Sequence, residues 1–422
     1  MPATAAILGV HLLLPGGGAL RVGTLTRDAE GNTAFSVDEA YLQHKSRPIL
    51  SLSWFVPDDE AATKDRLVAR AGKIGLQGYL PSWFAGLLPE GALRQLVIEE
   101  MGAGKHDDFD VLARLGADLP GAVMIVPETD LPVSAGPLKL ADMHGFRVPV
   151  PQGVVKFSLA GVQLKFSGNL ADGRLTIPAR TEDTHCILKV PTDRFPNLPE
   201  AEYAAMQVAS LSGVNTAVCN LIPVDHIDNV PGEFLEHGKS ALVVERFDRS
   251  EPGKRIHIED FAQIFGAVGD RKYTMANYES ILKAIKRFST DWRMDVMEGL
   301  RRLVVDVLIG NGDNHLKNWS FIFPAPDVIR LSPAYDIVPT VLYVAKETLA
   351  LECAGTRAFE SVTFKRIARI SNYLALDVDK VETELKTLVR EAVAIWPAHL
   401  MAVLGEEKAR QGEARTELAR AD

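Results

Sequence analysis

Gly310-Asn311-Gly312-Asp313-Asn314-His315-Leu316-Lys317-Asn318 is the stretch on which the fold reading turns. It follows a pattern in which Met294, Met297, Leu300, Val304 and Val307 recur at helical spacing, and it precedes a strand-like Ser320-Phe321-Ile322-Phe323. An Asp is followed five residues later by an Asn, and a second Asp comes in Ala334-Tyr335-Asp336-Ile337-Val338. Phosphoryl transfer needs a carboxylate beside the attacking hydroxyl and oxygen ligands for Mg²⁺. Asp313 suits the first role, and Asn318 and Asp336 suit the second. Lys317 adds positive charge where a transferring phosphoryl group requires it. Read alone, the loop is equally a turn, because Asn, Asp and Gly are turn formers. The distant Asp336 and the features upstream tip the reading toward chemistry.

The rest of the chain sets the frame. Its 422 residues correspond to two or three domains, at roughly 100–200 residues each. Hydrophobic residues make up 47% and charged residues 24%, a globular composition. Lys plus Arg number 46 against 55 Asp plus Glu, giving a net charge of −9. An acidic chain is a poor general nucleic-acid binder. Cys186, Cys219 and Cys353 lie far apart and form no CxxC pair, which argues against a disulfide framework or a structural zinc and for a reducing compartment. The histidines show no metal-ligand spacing. No apolar run reaches the roughly 18–20 residues of a membrane helix. The apolar N-terminus has no Lys or Arg before Arg21, so it reads as a strand rather than a leader. A cytoplasmic protein without a membrane part is expected.

Residues 7–14 and 19–25 read as strands around Pro15-Gly16-Gly17-Gly18, and 33–37 as a third. A helix is expected over 61–71. Another opens at Trp83-Phe84-Ala85-Gly86-Leu87-Leu88-Pro89-Glu90-Gly91 and runs to about residue 100, with its acidic residue serving the first turn. Residues 108–115 form a short amphipathic segment, and 129–151 a Pro- and Gly-rich linker. Residues 154–157, 186–190 and 241–244 are short apolar strands, and 199–211 is a helix. Beyond 255 the pattern is mostly helical, including a second stripe of Val381, Leu385, Leu388, Val389 and Val393. Residues 405–422 read as a charged, solvated helix end.

Three further stretches carry candidate chemistry. Cys186-Ile187-Leu188-Lys189-Val190 sets a lysine in an apolar strand. Such a lysine either has a buried partner or snorkels from an edge. In a kinase lobe it would hold the α- and β-phosphates, oriented by Glu202 in preference to Glu200. Ser158-Leu159-Ala160-Gly161-Val162-Gln163-Leu164-Lys165 is neither a Walker A nor a GxGxxG sequence. It is a hairpin, or a small-residue turn offering amides to phosphate. Val243-Val244-Glu245-Arg246-Phe247-Asp248-Arg249 ends a strand either in a salt-bridged exit or in backbone able to read an adenine edge. His315 is either structural or a phosphate contact.

Taken together and in order, these stretches resemble the HipA family of serine/threonine protein kinases, toxins of bacterial type II toxin–antitoxin modules. The resemblance also rests on Leu115-Gly116-Ala117-Asp118-Leu119-Pro120-Gly121-Ala122 and Arg255-Ile256-His257-Ile258-Glu259-Asp260-Phe261, and with the Leu87-Leu88-Pro89-Glu90-Gly91 segment it spans nearly the whole chain. It implies an α+β, two-lobed protein-kinase-like fold with a small N-terminal α+β subdomain (1–128), the linker, an ATP-binding lobe (152–247) and a mainly helical C-terminal catalytic lobe (248–422). It implies ATP and Mg²⁺, with Asp313 as catalytic base and Asn318 and Asp336 on the metal. Lys189 would contact the ATP phosphates. Ala160, Gly161, Val162, Gln163, Leu164 and Lys165 would form the phosphate loop, and Glu245, Arg246 and Phe247 the adenine-reading hinge. His315, Leu316, Lys317, Asn318 and Tyr335 would complete the nucleotide pocket. Ser158 matches the serine that family members autophosphorylate, an event that ejects the loop and inactivates the kinase. The implied partners are a helix-turn-helix antitoxin of the HipB kind, expected as a dimer and carrying the contact with operator DNA, and a protein substrate in translation such as an aminoacyl-tRNA synthetase. The chain departs from the family at Ile258, where Gln is frequent, at Asn314, where Gly is common, and at Leu164, where a polar residue is frequent. Two other readings stand beside this one: a small-molecule phosphotransferase of the aminoglycoside- or choline-kinase type, and a catalytically silent corepressor of a DNA-binding antitoxin.

Overall fold

The computed structural model describes residues 6–102, 104–128, 165–177, 184–251 and 254–405. The expected strand 154–157, Ser158, the expected phosphate-loop residues Ala160, Gly161, Val162, Gln163 and Leu164, the expected linker 129–151 and residues 406–422 lie outside them.

The chain opens with strands β1 (Ala6–Leu13), β2 (Ala19–Arg27) and β3 (Thr33–Val37). The turn between the first two needs left-handed backbone at Gly17 and Gly18 (φ 88° and 87°), which is why glycines stand there. With β4 (Ile74–Gly75) and β5 (Val123–Pro127) they form an antiparallel sheet in the order β4-β3-β2-β1-β5. Helices α1 (Glu39–Leu42), α2 (Glu60–Val68), α3 (Ser82–Ala85), α4 (Gly91–Glu100) and α5 (Asp108–Leu115) accompany it. The helix expected from about 83 to 100 is therefore two helices. Pro89 and the positive φ of Gly91 (57°) interrupt the chain between them.

A second sheet comprises β6 (Lys165–Ala171), β7 (Arg174–Thr176), β8 (Cys186–Lys189), β9 (Cys219–Pro223), β10 (Ile227–Asp228) and β11 (Ser240–Glu245), in the order β10-β7-β6-β8-β11-β9. Helix α6 (Leu198–Leu211) packs on it. A short hairpin, β12 (Arg249–Glu251) with β13 (Lys254–Arg255), leads into the remainder. That remainder is not wholly helical. A three-stranded antiparallel sheet, β14 (His257–Asp260), β15 (Ser320–Ala325) and β16 (Val328–Leu331), sits among α7 (Phe261–Phe265), α8 (Tyr278–Phe288), α9 (Trp292–Ile309), α10 (Phe364–Tyr373) and α11 (Val378–Leu404). By length and composition α11 would pass as a membrane span. Instead it is amphipathic: Val381, Leu385, Leu388, Val389, Ala392, Trp396 and Leu400 are buried in the core shared with α6, α9 and α10.

Strand alternation decides what each face of the second sheet does. Leu242 and Val244 join the helical core, whereas Ala241, Val243, Leu188 and Phe166 join the core of the N-terminal sheet. The N-terminal unit thus shares its core with the back of the second sheet.

Buried charge reinforces that junction. Arg246, Arg249 and Arg255 gather round Asp118 and Asp248, and the Gly121 amide donates to Asp248 at 2.7 Å. Burial alone would lift the Asp248 carboxyl, but Arg246 and Arg249 hold it down at about 2. Glu259 on β14 is fully buried and accepts from Ser51 Oγ (2.6 Å), the Leu52 amide (2.8 Å) and Trp83 Nε1 (2.9 Å). Burial pushes it up to about 8.

His257 bonds the Leu50 carbonyl at 2.9 Å through Nε2. Burial lowers its pKa from 6.5 to about 4. A pKa depressed in the folded state stabilises above 6.5, and that contribution is lost as pH falls from 6.5 toward 4. Raised carboxyls such as Glu259 act in the opposite sense, so the informative quantity is a difference between variants. Relative to the parent, His257→Gln should recover stability by about 1.4 kcal/mol per pH unit between pH 6.5 and 4.5. Urea denaturation at each pH measures this, and a constant gap would contradict it.

Candidate active site

The loop after α9 is built around one buried carboxylate. The helix ends on Gly310 in the left-handed region (φ 71°), and the Asn311 amide closes on the Asp306 carbonyl at 2.8 Å. Asp306 then accepts from Asn311 Nδ2 (2.8 Å), Asn314 Nδ2 (2.5 Å) and Tyr278 Oη (3.1 Å). Burial pushes its pKa up to about 7, against the pull of those donors. The asparagines are therefore not merely turn formers, because their side chains fix the loop to the helix. Gly312 is required for space, since a Cβ there would lie 2.6 Å from the Thr348 carbonyl. The Asp313 carbonyl accepts from the His315 amide (2.8 Å) and from Asn318 Nδ2 (2.9 Å). With that nitrogen committed, the oxygen of the Asn318 amide is the group left for a ligand.

Asp313 itself is exposed and is not among the residues that line the cleft, and its Oδ1 accepts from Tyr273 Oη at 2.8 Å. Its carboxyl is raised above the usual range by the surrounding protein, while the Tyr273 hydroxyl and the Lys272 and Lys165 charges oppose the shift.

Across the cleft, Lys165 on β6 stands opposite Lys189 on β8, so both side chains emerge from the same face. Lys189 pairs with Glu202 of α6 and also with Asp336. Lys165 reaches Asp336 Oδ2 at 2.9 Å. Desolvation lowers both lysines, Lys189 to about 8, against the pull of Glu202. Asp336 adopts left-handed backbone (φ 56°), an uncommon conformation that directs its carboxylate at the two cations. The chosen partner, Glu202 rather than Glu200, is the one in contact.

The inner part of the cleft is lined by Ile187, Met206, Val244, Glu245, Arg246, Phe247, Ile258, Asp260 and Tyr335. The Glu245 and Arg246 amides are already bonded to Val218 and His185 carbonyls at 2.8 Å. The Arg246 guanidinium turns away into the Asp118–Asp248 cluster. Phe247 rests on the Tyr335 ring at 5.6 Å, and Tyr335 Oη donates to the Lys317 carbonyl at 2.9 Å.

Of the residues expected to surround a nucleotide, the structure gathers Lys165, Lys189, Glu245, Arg246, Phe247, Lys317, Asn318, Tyr335 and Asp336 into one cleft. Leu316 points into the helical core instead. His315 is buried against the Tyr273 ring at 5.0 Å, and burial with the nearby Lys272 lowers it to about 3, so it is neutral.

Sequence reasoning passed over four residues. Asp306 had a signal, a lone acid in the apolar run Leu303-Val304-Val305-Asp306-Val307-Leu308. Lys272, Tyr273 and Glu90 had none, because their contacts are non-local. Glu90, expected to serve the first turn of its helix, instead binds Lys272 (2.6 Å) and Lys317 (3.1 Å).

Asp336→Ala leaves two buried ammonium groups with Glu202 as the one remaining ion-pair partner among the described residues. It should destabilise the protein by about 3 kcal/mol at pH 7. The deficit should narrow toward pH 10, as the depressed lysines lose charge. Urea denaturation at the two pH values tests this, and a pH-independent deficit would count against the pairing.

The sequence model of the HipA-like C-terminal domain matches residues 157–396, and that of the HipA N-terminal domain matches 18–126. Y4dM of Sinorhizobium fredii is 36% identical over 381 residues, covering 89% of each chain. The serine/threonine-protein kinase toxin HipA of Shewanella oneidensis is 27% identical over 353 residues, 77% of this chain and 74% of that one. A solved Shewanella oneidensis structure, the toxin–antitoxin complex of HipA, HipB and operator DNA, superimposes with a TM-score of 0.72 at 22% identity, covering 98% of this chain and 97% of that one. That likeness is one of fold.

Proposed function

The chain belongs to the HipA family, and from that premise we propose that it is a Mg-ATP-dependent serine/threonine protein kinase acting as the toxin of a toxin–antitoxin pair. The observation that carries this reading is the Lys189 bridge to Glu202 and Asp336 beside the Asp313–Asn318 loop. In this reading the second sheet with α6 is one lobe, the helices from α7 onward are the other, and the N-terminal unit is a separate subdomain. The proposed phosphate loop is Ala160 to Lys165, of which Lys165 is among the described residues.

The donor set suits the metal. An amide oxygen (Asn318) and a carboxylate (Asp336) are hard oxygen ligands of the kind Mg²⁺ takes alongside phosphate. Bound Mg-ATP supplies the phosphoryl group and neutralises its charge. Lys189, oriented by Glu202, holds the α- and β-phosphates, and Phe247 with Tyr335 borders the purine. With the Glu245 and Arg246 amides already bonded and the Arg246 carbonyl accepting from the Arg249 amide at 3.0 Å, the Phe247 backbone is the hinge group that would read a purine edge. Asp313 orients the substrate hydroxyl and takes its proton. Positioning and charge, rather than covalent chemistry, then carry the rate. Lys317 contributes positive charge on the loop between the base and the metal ligand.

Ser158 is the proposed site of self-phosphorylation, where a charge near −2 would repel the anionic nucleotide. The proposed partners are a dimeric helix-turn-helix antitoxin that carries the operator contact and a protein substrate in translation, and the proposed setting is the bacterial cytoplasm.

Intact-mass spectrometry of phosphate-free protein after incubation with Mg-ATP tests the reading. The wild type should gain one phosphate, mapped to Ser158, and Asp313→Ala should gain none. No gain in the wild type would refute autophosphorylation, and an equal gain in both would remove Asp313 from the role of base.

A further inference from the structure

Glu90 is far from the cleft in sequence, yet its carboxylate is the ion-pair partner of two lysines that flank the proposed base. Lys272 lies 2.6 Å from Glu90 Oε2 and Lys317 3.1 Å from Oε1. Both lysines are buried, with less than a tenth of either exposed. Burial would lift the Glu90 carboxyl, but the two ammonium groups outweigh it and hold it below its usual range.

Each lysine belongs to a segment that grips Asp313. The residue after Lys272 is Tyr273, whose hydroxyl donates to the Asp313 carboxylate at 2.8 Å. The residue after Lys317 is Asn318, whose amide holds the Asp313 carbonyl at 2.9 Å. One carboxylate therefore ties together the two segments that hold the base, one at its carboxylate and the other at its backbone carbonyl. It is also presented rigidly, because Pro89 fixes the backbone before it and Gly91, at φ 57°, turns it sharply after. Glu90 occupies the N-cap of α4 but makes no side-chain cap bond there. Its carboxylate is spent on the cleft at the expense of its own helix, a local rule broken where a functional gain is expected.

We infer that Glu90 is a positioning residue for phosphoryl transfer: the N-terminal subdomain orients the catalytic base in cis, through Lys272–Tyr273 on one side and Lys317–Asn318 on the other. This rests on the kinase reading above and adds to it that the N-terminal subdomain is part of the catalytic apparatus. Misplacing a reacting group by about 1 Å costs on the order of a hundredfold in rate, so the effect should fall on turnover far more than on nucleotide affinity, to which Lys165, Lys189, Phe247 and Tyr335 contribute without touching Glu90.

The test uses the full chain carrying Glu90→Gln, Tyr273→Phe, both changes, or Glu90→Asp. Three quantities are read: the first-order rate of self-phosphorylation at saturating Mg-ATP, the affinity for a fluorescent ATP analogue, and the melting temperature. Glu90→Gln and Tyr273→Phe should each lower the rate by about ten- to a hundredfold, with analogue affinity close to the parent's. The double variant should be no slower than the slower single one, because both changes interrupt one linkage. Glu90→Asp should recover part of the rate, since charge remains. A Glu90→Gln rate equal to the parent's, losses that multiply in the double variant, or a fall in analogue affinity matching the fall in rate would each overturn the inference. A collapse of the melting temperature in Glu90→Gln with no recovery in Glu90→Asp would make Glu90 structural and overturn it too. An inert wild type would instead refute the kinase reading, and this inference with it.

Discussion

Two buried ammonium groups on neighbouring strands, Lys165 and Lys189, leave the same face of the second sheet. Buried cations of this kind persist only with anions at hand, and the ion pairs of these two come from outside the sheet. Glu202 comes from the helix packed on the sheet, and Asp336 from the far side of the cleft. That requirement fixes where α6 lies, draws the segment carrying Asp336 against the sheet, and selects the left-handed backbone that lets its carboxylate reach. The cleft between the second sheet and the helices is in this sense an electrostatic seam. An incoming polyphosphate could take over the lysines, and a divalent cation could take over Asp336.

The N-terminal unit is joined to the remainder by the same kind of contact. Asp118 meets Arg246 and Arg249, Ser51 and Trp83 meet Glu259, and Glu90 meets Lys272 and Lys317. Segments that look like scattered short motifs along the chain prove to be the two sides of these contacts. Leu115-Gly116-Ala117-Asp118 packs on Glu245-Arg246-Phe247-Asp248-Arg249, and the Pro89-Glu90 turn packs on the loop that carries Asp313. The shared core beneath them, in which Leu188 and Val243 lie with the N-terminal strands, makes the association a matter of burial as well as charge.

What the sequence disclosed follows from range. The β1–β2 hairpin was legible from its glycines and α9 from its apolar period, although Met294 of that stripe is exposed; the roles of Asp313, Asn318 and Asp336, read from spacing, are proposals. Lys189 could be singled out because a cation in an apolar strand demands a partner, and the following helix offered few. Strand β14 was missed because His257 and Glu259, its buried residues, are polar and give no hydrophobic alternation. Asn311 and Asn314 looked like turn formers because the acid that binds them sits inside a helix. Glu90, Lys272 and Tyr273 were illegible for a stricter reason: each is defined by a partner scores of residues away, and no local period encodes such a pair.

The central claim is that the Lys165–Lys189–Asp336 seam is a nucleotide–metal site. Calorimetric titration of the full chain with ATP, with and without Mg²⁺, tests it most directly when Asp336→Asn is run beside the wild type. The account predicts that the wild type binds ATP, that Mg²⁺ tightens the binding, and that Asp336→Asn abolishes the tightening while leaving a weaker, metal-independent interaction through the lysines. Absence of ATP binding in the wild type, or an affinity indifferent both to Mg²⁺ and to Asp336, would contradict it.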